Sequence, residues 1–151
     1  MKNLLLLLIL LASLFSVRAQ EIKLVLPTGN SGVLYDFATT KDEKYTATVS
    51  GNTLVLWDLR AQKKVFEKRL GGGLDMQMKS VSISDDGNRV LITGSGGSFL
   101  VDVQSGNFII NSSTTYYGSC FSHDQRMVYF NTSTDLELYD AFTGKMAKRI
   151  S

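Results

Sequence analysis

Proline, cysteine and histidine are almost missing from this chain, which has one of each in 151 residues. With Cys120 alone no internal disulfide can form, so the fold must hold by apolar burial. One histidine, His123, is too few for a ring of imidazoles and acids drawn from several segments, which is how a repeat protein would build a hydrolytic centre. Charge of one sign is lacking too. The 16 basic and 14 acidic residues give +2, and no basic block suggests nucleic acid as a partner. Long apolar runs are confined to the start of the chain. Lys2, the run Leu4 to Leu11 and the small pair Val17 and Ala19 describe a secretory signal peptide over residues 1–19, with the cut between Ala19 and Gln20. The run is short for a bilayer span. An uncleaved anchor is the alternative, and no cysteine follows to carry a lipid. Cleavage would remove Lys2 and Arg18, leaving 14 basic against 14 acidic residues. The expected product is a neutral secreted or periplasmic chain, residues 20–151, without a stable membrane anchor.

What the chain has in quantity is a repeat. Asp42, Asp86 and Asp124 form one column and Asp58, Asp102 and Asp140 another, 16 residues apart in every copy. The copies step by 44 and then 38 residues in both columns, so the length difference falls outside the unit, at Gly71-Gly72-Gly73. Three repeats follow, over about 28–70, 71–113 and 114–151.

Each copy reads as four short strands. Before the first column lie apolar positions, Tyr35 and Phe37, Val81 and Ile83, Tyr117 and Phe121; after it come Tyr45 to Val49, Val90 to Thr93 and Met127 to Phe130. These are the β-branched and aromatic residues that suit a pleated surface, joined by polar turns. The second column ends a third strand, whose last copy alternates Leu136 and Leu138 with Glu137, a period of two that predicts a leucine face turned inward. Gly106 and Gly144 stand four places beyond their Asp, with Gln62 in the first copy, where a turn asks for positive φ. Fourth strands are predicted at Val65 to Leu70, Phe108 to Asn111 and Met146 to Ile150. Four antiparallel strands per copy with almost no helix signal make an all-β chain of β-propeller blades. About three blades form an incomplete ring, with a leading strand, Ile22 to Leu26, ahead of Pro27. Trp57, Val101 and Tyr139 are expected at equivalent third-strand positions, with Trp57 in the blade core, and an open arc is expected to self-associate through its exposed end faces.

Leu56-Trp57-Asp58, Leu138-Tyr139-Asp140 and Thr143-Gly144-Lys145 resemble the WD-repeat family of propellers, over about residues 22 to 151. Gly29-Asn30 stands where that family often has Gly-His, and Gly51, Ser95 and Ser133 stand where it favours Asp. Its His, Ser or Thr, Asp and Trp network is therefore incomplete in every copy. The run from Leu138 to Lys145 is also similar to the repeats of quinoprotein-type propellers, which usually carry an aromatic soon after Gly-Lys, where this chain has Met146-Ala147.

Reactive centres are not evident. His123 sits in a polar turn and reads as solvated; Cys120, within a strand, reads as a small buried apolar residue. Asp85-Asp86, Asp42-Glu43 and Asp75 lack calcium-loop spacing, and the Gly-rich stretches at 71–73 and 94–97 lack the Lys-Ser or Lys-Thr of a phosphate loop. Asn111-Ser112-Ser113 and Asn131-Thr132-Ser133 match a glycosylation sequon. No catalytic, cofactor-binding or metal-binding residue is assigned. Asp42, Trp57, Asp58, Asp86, Asp102, Gly106, Asp124, Tyr139, Asp140 and Gly144 are singled out as structural signatures of the repeat. The expected function is a secreted scaffold binding a protein or an extended peptide, not an enzyme. The alternatives are a propeller enzyme of quinoprotein or hydrolase type, or the recognition region of a longer protein with a downstream catalytic domain, such as the caspase-like peptidase that the resemblance implies for some secreted relatives.

Overall fold

The computed structural model describes residues 33–71 and 78–151. The signal segment, the leading strand at Ile22 to Leu26, Gly72-Gly73 and Asp75 lie outside them. The described residues form twelve strands and no helix: β1 Leu34–Thr39, β2 Tyr45–Ser50, β3 Thr53–Asp58, β4 Lys63–Arg69, β5 Met78–Ile83, β6 Arg89–Gly94, β7 Gly97–Asp102, β8 Phe108–Ser112, β9 Gly118–Phe121, β10 Met127–Asn131, β11 Leu136–Asp140 and β12 Met146–Ile150. They pair in chain order as three four-stranded antiparallel sheets. The short alternating runs and polar turns of the sequence thus make three blades. One irregularity recurs. The register slips between Leu56 and Trp57 against β4, between Leu100 and Val101 against β8 and between Leu138 and Tyr139 against β12, a bulge that adds twist at the same place in every blade.

The blades stack through their first strands, β1 against β5 and β5 against β9. The Val81 N–H donates to the Asp36 carboxylate at 2.8 Å across the first junction, and the Ser82 hydroxyl donates to the Ser119 carbonyl at 3.3 Å across the second. Because side chains alternate along a strand, each sheet has two faces, and among the described residues only the middle blade has a neighbouring sheet on both. Ala47, Val49, Leu54 and Leu56 meet Val81, Val90, Ile92, Phe99 and Val101 between the first two blades. Leu91, Leu100 and Ile110 meet Tyr116, Val128 and Phe130 between the second and third. All six residues of β6 are buried, since the middle blade is covered on both faces. Fully burying such a Leu or Val contributes about 1.5–3 kcal/mol.

This alternation corrects two expectations. Leu136 and Leu138 do not form an inward face: Leu136 is 36% exposed and Leu138 half-buried, whereas Glu137 is 3% exposed. The equivalent Leu54 and Leu56 are buried at 0% and 2% only because the second blade lies on them; among the described residues no sheet lies on that face of the third. Cys120, on the same open face in the place of Ala38 and Ser82, is exposed rather than buried. Phe37, paired across the strands with Thr48, is exposed on β1, while its counterpart Val81 is buried against the first blade. Thr48, Val55 and Trp57 of the first blade are nonetheless buried on the face that Phe37 shares.

Candidate functional site: a rim of aspartate-anchored turns

In a four-stranded meander the first and third turns lie at the same end, so both Asp columns come to one rim. In the first column a hydroxyl two residues earlier donates to each carboxylate: Thr40 to Asp42 at 2.7 Å, Ser84 to Asp86 at 2.5 Å and Ser122 to Asp124 at 2.6 Å. The same carboxylates accept the N–H groups of Lys44, Asn88 and Arg126 at 2.9–3.1 Å. The hydroxyl oxygens accept the first N–H of the next strand, from Tyr45, Arg89 and Met127, at 2.9–3.0 Å. These hydrogen bonds hold Asp42 and Asp124 below the usual carboxylate range. Burial pushes Asp86 up, but Ser84 and Asn88 outweigh it and the net direction is down. The Thr or Ser two residues before each Asp, Thr40, Ser84 and Ser122, is a further repeated column of the sequence.

The second column works alike. Asp58 accepts the Ala61 N–H at 2.8 Å, Asp102 accepts the Ser105 N–H and hydroxyl at 2.6 Å each, and Asp140 accepts the N–H groups of Phe142 and Thr143 at 3.0 and 2.8 Å. Asp102 is held low by the hydroxyl and N–H of Ser105, and Asp140 by the N–H groups of Thr143 and Phe142. Gln62, Gly106 and Gly144 take the left-handed conformation, at φ 51°, 71° and 68°. At Gly144 the need is steric as well, because a Cβ would run into the Ile109 carbonyl of the second blade. The six aspartates are therefore turn-locking residues.

Inside the blades the signature residues diverge. The Trp57 indole donates to the Thr48 hydroxyl at 2.9 Å. Tyr139 instead stands edge-on to Phe130, with centroids 5.4 Å apart, and its hydroxyl donates to Glu137 at 2.8 Å. Tyr116 donates to the same carboxylate at 2.6 Å, and Arg149 pairs with it. Burial pushes Glu137 up, yet these three donors leave it below the ordinary range; burial and Glu137 push Tyr116 up, and burial, Tyr116 and Glu137 push Tyr139 up. The alternation with Leu136 and Leu138 predicts an outward Glu137, and no repeat column reveals its partners.

Between the second and third blades the rim opens into a cleft of about 380 Å³. Its floor holds Arg89, 6% exposed, in the place of Tyr45 and Met127. The Arg89 Nη1 donates to the Gln125 carbonyl at 3.0 Å, and its guanidinium lies 4.1 Å from the Phe142 ring centroid. Asp86 and Asp102 lie along the walls with Asn88, Gln104, Ser105 and Asn107. Arg89 was not singled out from the sequence; its signal was one charged residue in a column otherwise filled by Tyr and Met. His123 lies exposed in the turn before β10, and Asn111 and Asn131 are exposed at strand ends. Among the described residues no three of His, Cys, Asp and Glu converge where an ion could sit.

Set against solved structures, the chain superposes on U3-55K with a TM-score of 0.66 at 12% identity, covering 81% of this chain and 40% of that one. The WD40 repeats of RRP9 give 0.66 at 12% identity, over 81% and 39%. The fold is that of WD40 propeller blades. Hydrazine synthase of Kuenenia stuttgartiensis also matches, with a TM-score of 0.63 at 18% identity, over 83% and 37%. This propeller chain thus spans 37–40% of the length of these structures. No family model matches it, and no curated protein does.

Proposed function

We propose that this propeller chain is an exported binding scaffold that presents its turn rim to a protein or an extended peptide. The observation that carries the reading is the repeated locking of the rim: hydroxyl, carboxylate and backbone N–H form the same short circuit at Asp42, Asp86 and Asp124. Turns fixed in this way offer side chains to a partner with little conformational freedom left to lose, and loops on a rigid frame are the usual seat of recognition. The propeller fold of the solved neighbours supports the reading by analogy of fold. The signal-like segment at residues 1–19 supports export.

The test is site-specific photo-crosslinking in the exporting host. A photoreactive residue at Arg60, exposed in the β3–β4 turn of the rim, is expected to trap a discrete protein; the same residue at Lys148, on β12, serves as the control. No adduct at the rim, or equal trapping at both positions, overturns the scaffold reading. Mass spectrometry of the exported product is expected to find Gln20 at its N terminus.

A further inference from the structure

The cleft between the second and third blades has a chemistry of its own. We propose that it binds one neutral sugar ring of a glycan, an assignment that goes beyond the protein-scaffold reading and does not depend on it.

Charge excludes the simpler ligands. Arg89 on the floor faces Asp86 and Asp102 on the walls, so an incoming anion meets two carboxylates and an incoming cation meets a desolvated guanidinium. A neutral ligand rich in hydroxyl groups meets neither penalty.

Hydrogen-bond capacity points the same way. Arg89 commits Nη1 to Gln125, and among the described residues Nε and Nη2 have no hydrogen-bond partner. Asp102 accepts the N–H and hydroxyl of Ser105 on Oδ1 and is also held by the Gln104 N–H, and the remaining lone pairs of the carboxylate stay open to further donors. Gln104 and Asn107 add amide groups on the same wall. Donors and acceptors side by side match neighbouring ring hydroxyls, each of which can donate and accept at once. Hydrogen bonds to the charged partners are the stronger kind.

Phe142 supplies the remaining element. Its ring is 62% exposed at the cleft edge, a flat apolar surface of the sort that the C–H face of a sugar ring covers. The cavity lies within the size range of small-ligand pockets. A peptide fits less well, because among the described residues Ile109 and Phe142 are the only apolar ones of the lining and a peptide needs a buried apolar anchor. The site is also preorganised: Arg89 is clamped between the Gln125 carbonyl and the Phe142 ring, and Asp102 by Ser105.

The test is an NMR titration of the ¹⁵N-labelled protein. The probes are the methyl glycosides of glucose, mannose and galactose, N-acetylglucosamine, and the amides of N-acetyl-arginine and N-acetyl-glutamate as peptide-like arms. At least one sugar is expected to shift the Arg89 Nε–H and the backbone amides of Gln104, Ser105 and Asn107, saturating in the millimolar range. Phe142→Ala and Asp102→Asn are each expected to weaken that binding about tenfold or more; asparagine can still accept from Ser105, and Phe142 is exposed, so both variants keep the fold. No shift with any sugar, or shifts indifferent to both variants, overturns the proposal. Shifts with the amino-acid amides alone also overturn it, while leaving the peptide-scaffold reading standing; a sugar response without a crosslinked protein has the opposite meaning.

Discussion

The Trp57 indole donates to Thr48 at 2.9 Å, nine residues earlier on the neighbouring strand, and the same pair of positions holds Val101 with Ile92 in the second blade and Tyr139 with Phe130 in the third. One geometric slot therefore accepts a polar, an aliphatic and an aromatic pair. The strand pairing is common to all three, and the contents follow what each blade faces. Truncating Trp57 to Ala is expected to cost about 3–5 kcal/mol, measured by urea unfolding. Thr48→Val, which leaves the indole N–H buried without its acceptor, should cost about 1–3 kcal/mol. A loss under about 1 kcal/mol for Trp57→Ala would place the indole at the surface.

Glu137 and Leu136 provide a reversed pair. Glu137→Ala leaves the buried Tyr116 hydroxyl, the part-buried Tyr139 hydroxyl and Arg149 without their shared acceptor, and is expected to destabilise by about 3–5 kcal/mol. Leu136→Lys, on the open face, should change stability by less than about 1 kcal/mol. The opposite order in thermal or urea unfolding would restore the leucine-inward register.

Acid sensitivity follows from the carboxylates. Asp42, Asp86, Asp102, Asp124, Asp140 and Glu137 are all held below their ordinary values. A folded-state pKa below the unfolded one gives stability that is present in full above the unfolded value and is lost as pH falls through the folded value. The midpoint of urea unfolding should therefore hold steady down to about pH 5 and drop below about pH 4. Asp86→Asn should flatten part of that slope; an unchanged profile would show that Asp86 titrates alike in both states.

Backbone substitutions separate the turns. Gly87→Ala adds a Cβ that would lie 2.6 Å from the Tyr45 ring at φ 72°, and Gly144→Ala drives one into the Ile109 carbonyl. Each is expected to cost more than the roughly 1 kcal/mol of a left-handed alanine alone. Gly51→Ala, with nothing within 4 Å, should cost about that amount and no more. Gln62→Gly, at φ 51°, should be neutral or stabilising, by up to about 1 kcal/mol.

Cys120 should react with a thiol reagent in the native protein without prior unfolding, since its side chain is exposed on β9. Protection until the urea transition would show that this face is covered in solution.

The sequence by itself determined the twelve strands of the described residues, their turn positions and their antiparallel order. Those features rest on local chemistry: Asp after a hydroxyl residue, left-handed positions at Gly106 and Gly144, and β-branched runs of strand length. It also marked Trp57 as a core residue. It did not determine which face of a strand is inside, because a period of two names two faces without saying what covers them. For Leu54 and Leu56 the covering sheet is the second blade; for Leu136 and Leu138 no sheet lies there among the described residues, and Glu137 is buried instead. Only the tertiary structure brought Tyr116, Glu137 and Arg149 to one point, or set Arg89 of one blade beneath Phe142 of the next. Such partners are 12 to 53 residues apart in the chain, beyond any local spacing rule, and it is the stacking of separate sheets that makes them neighbours.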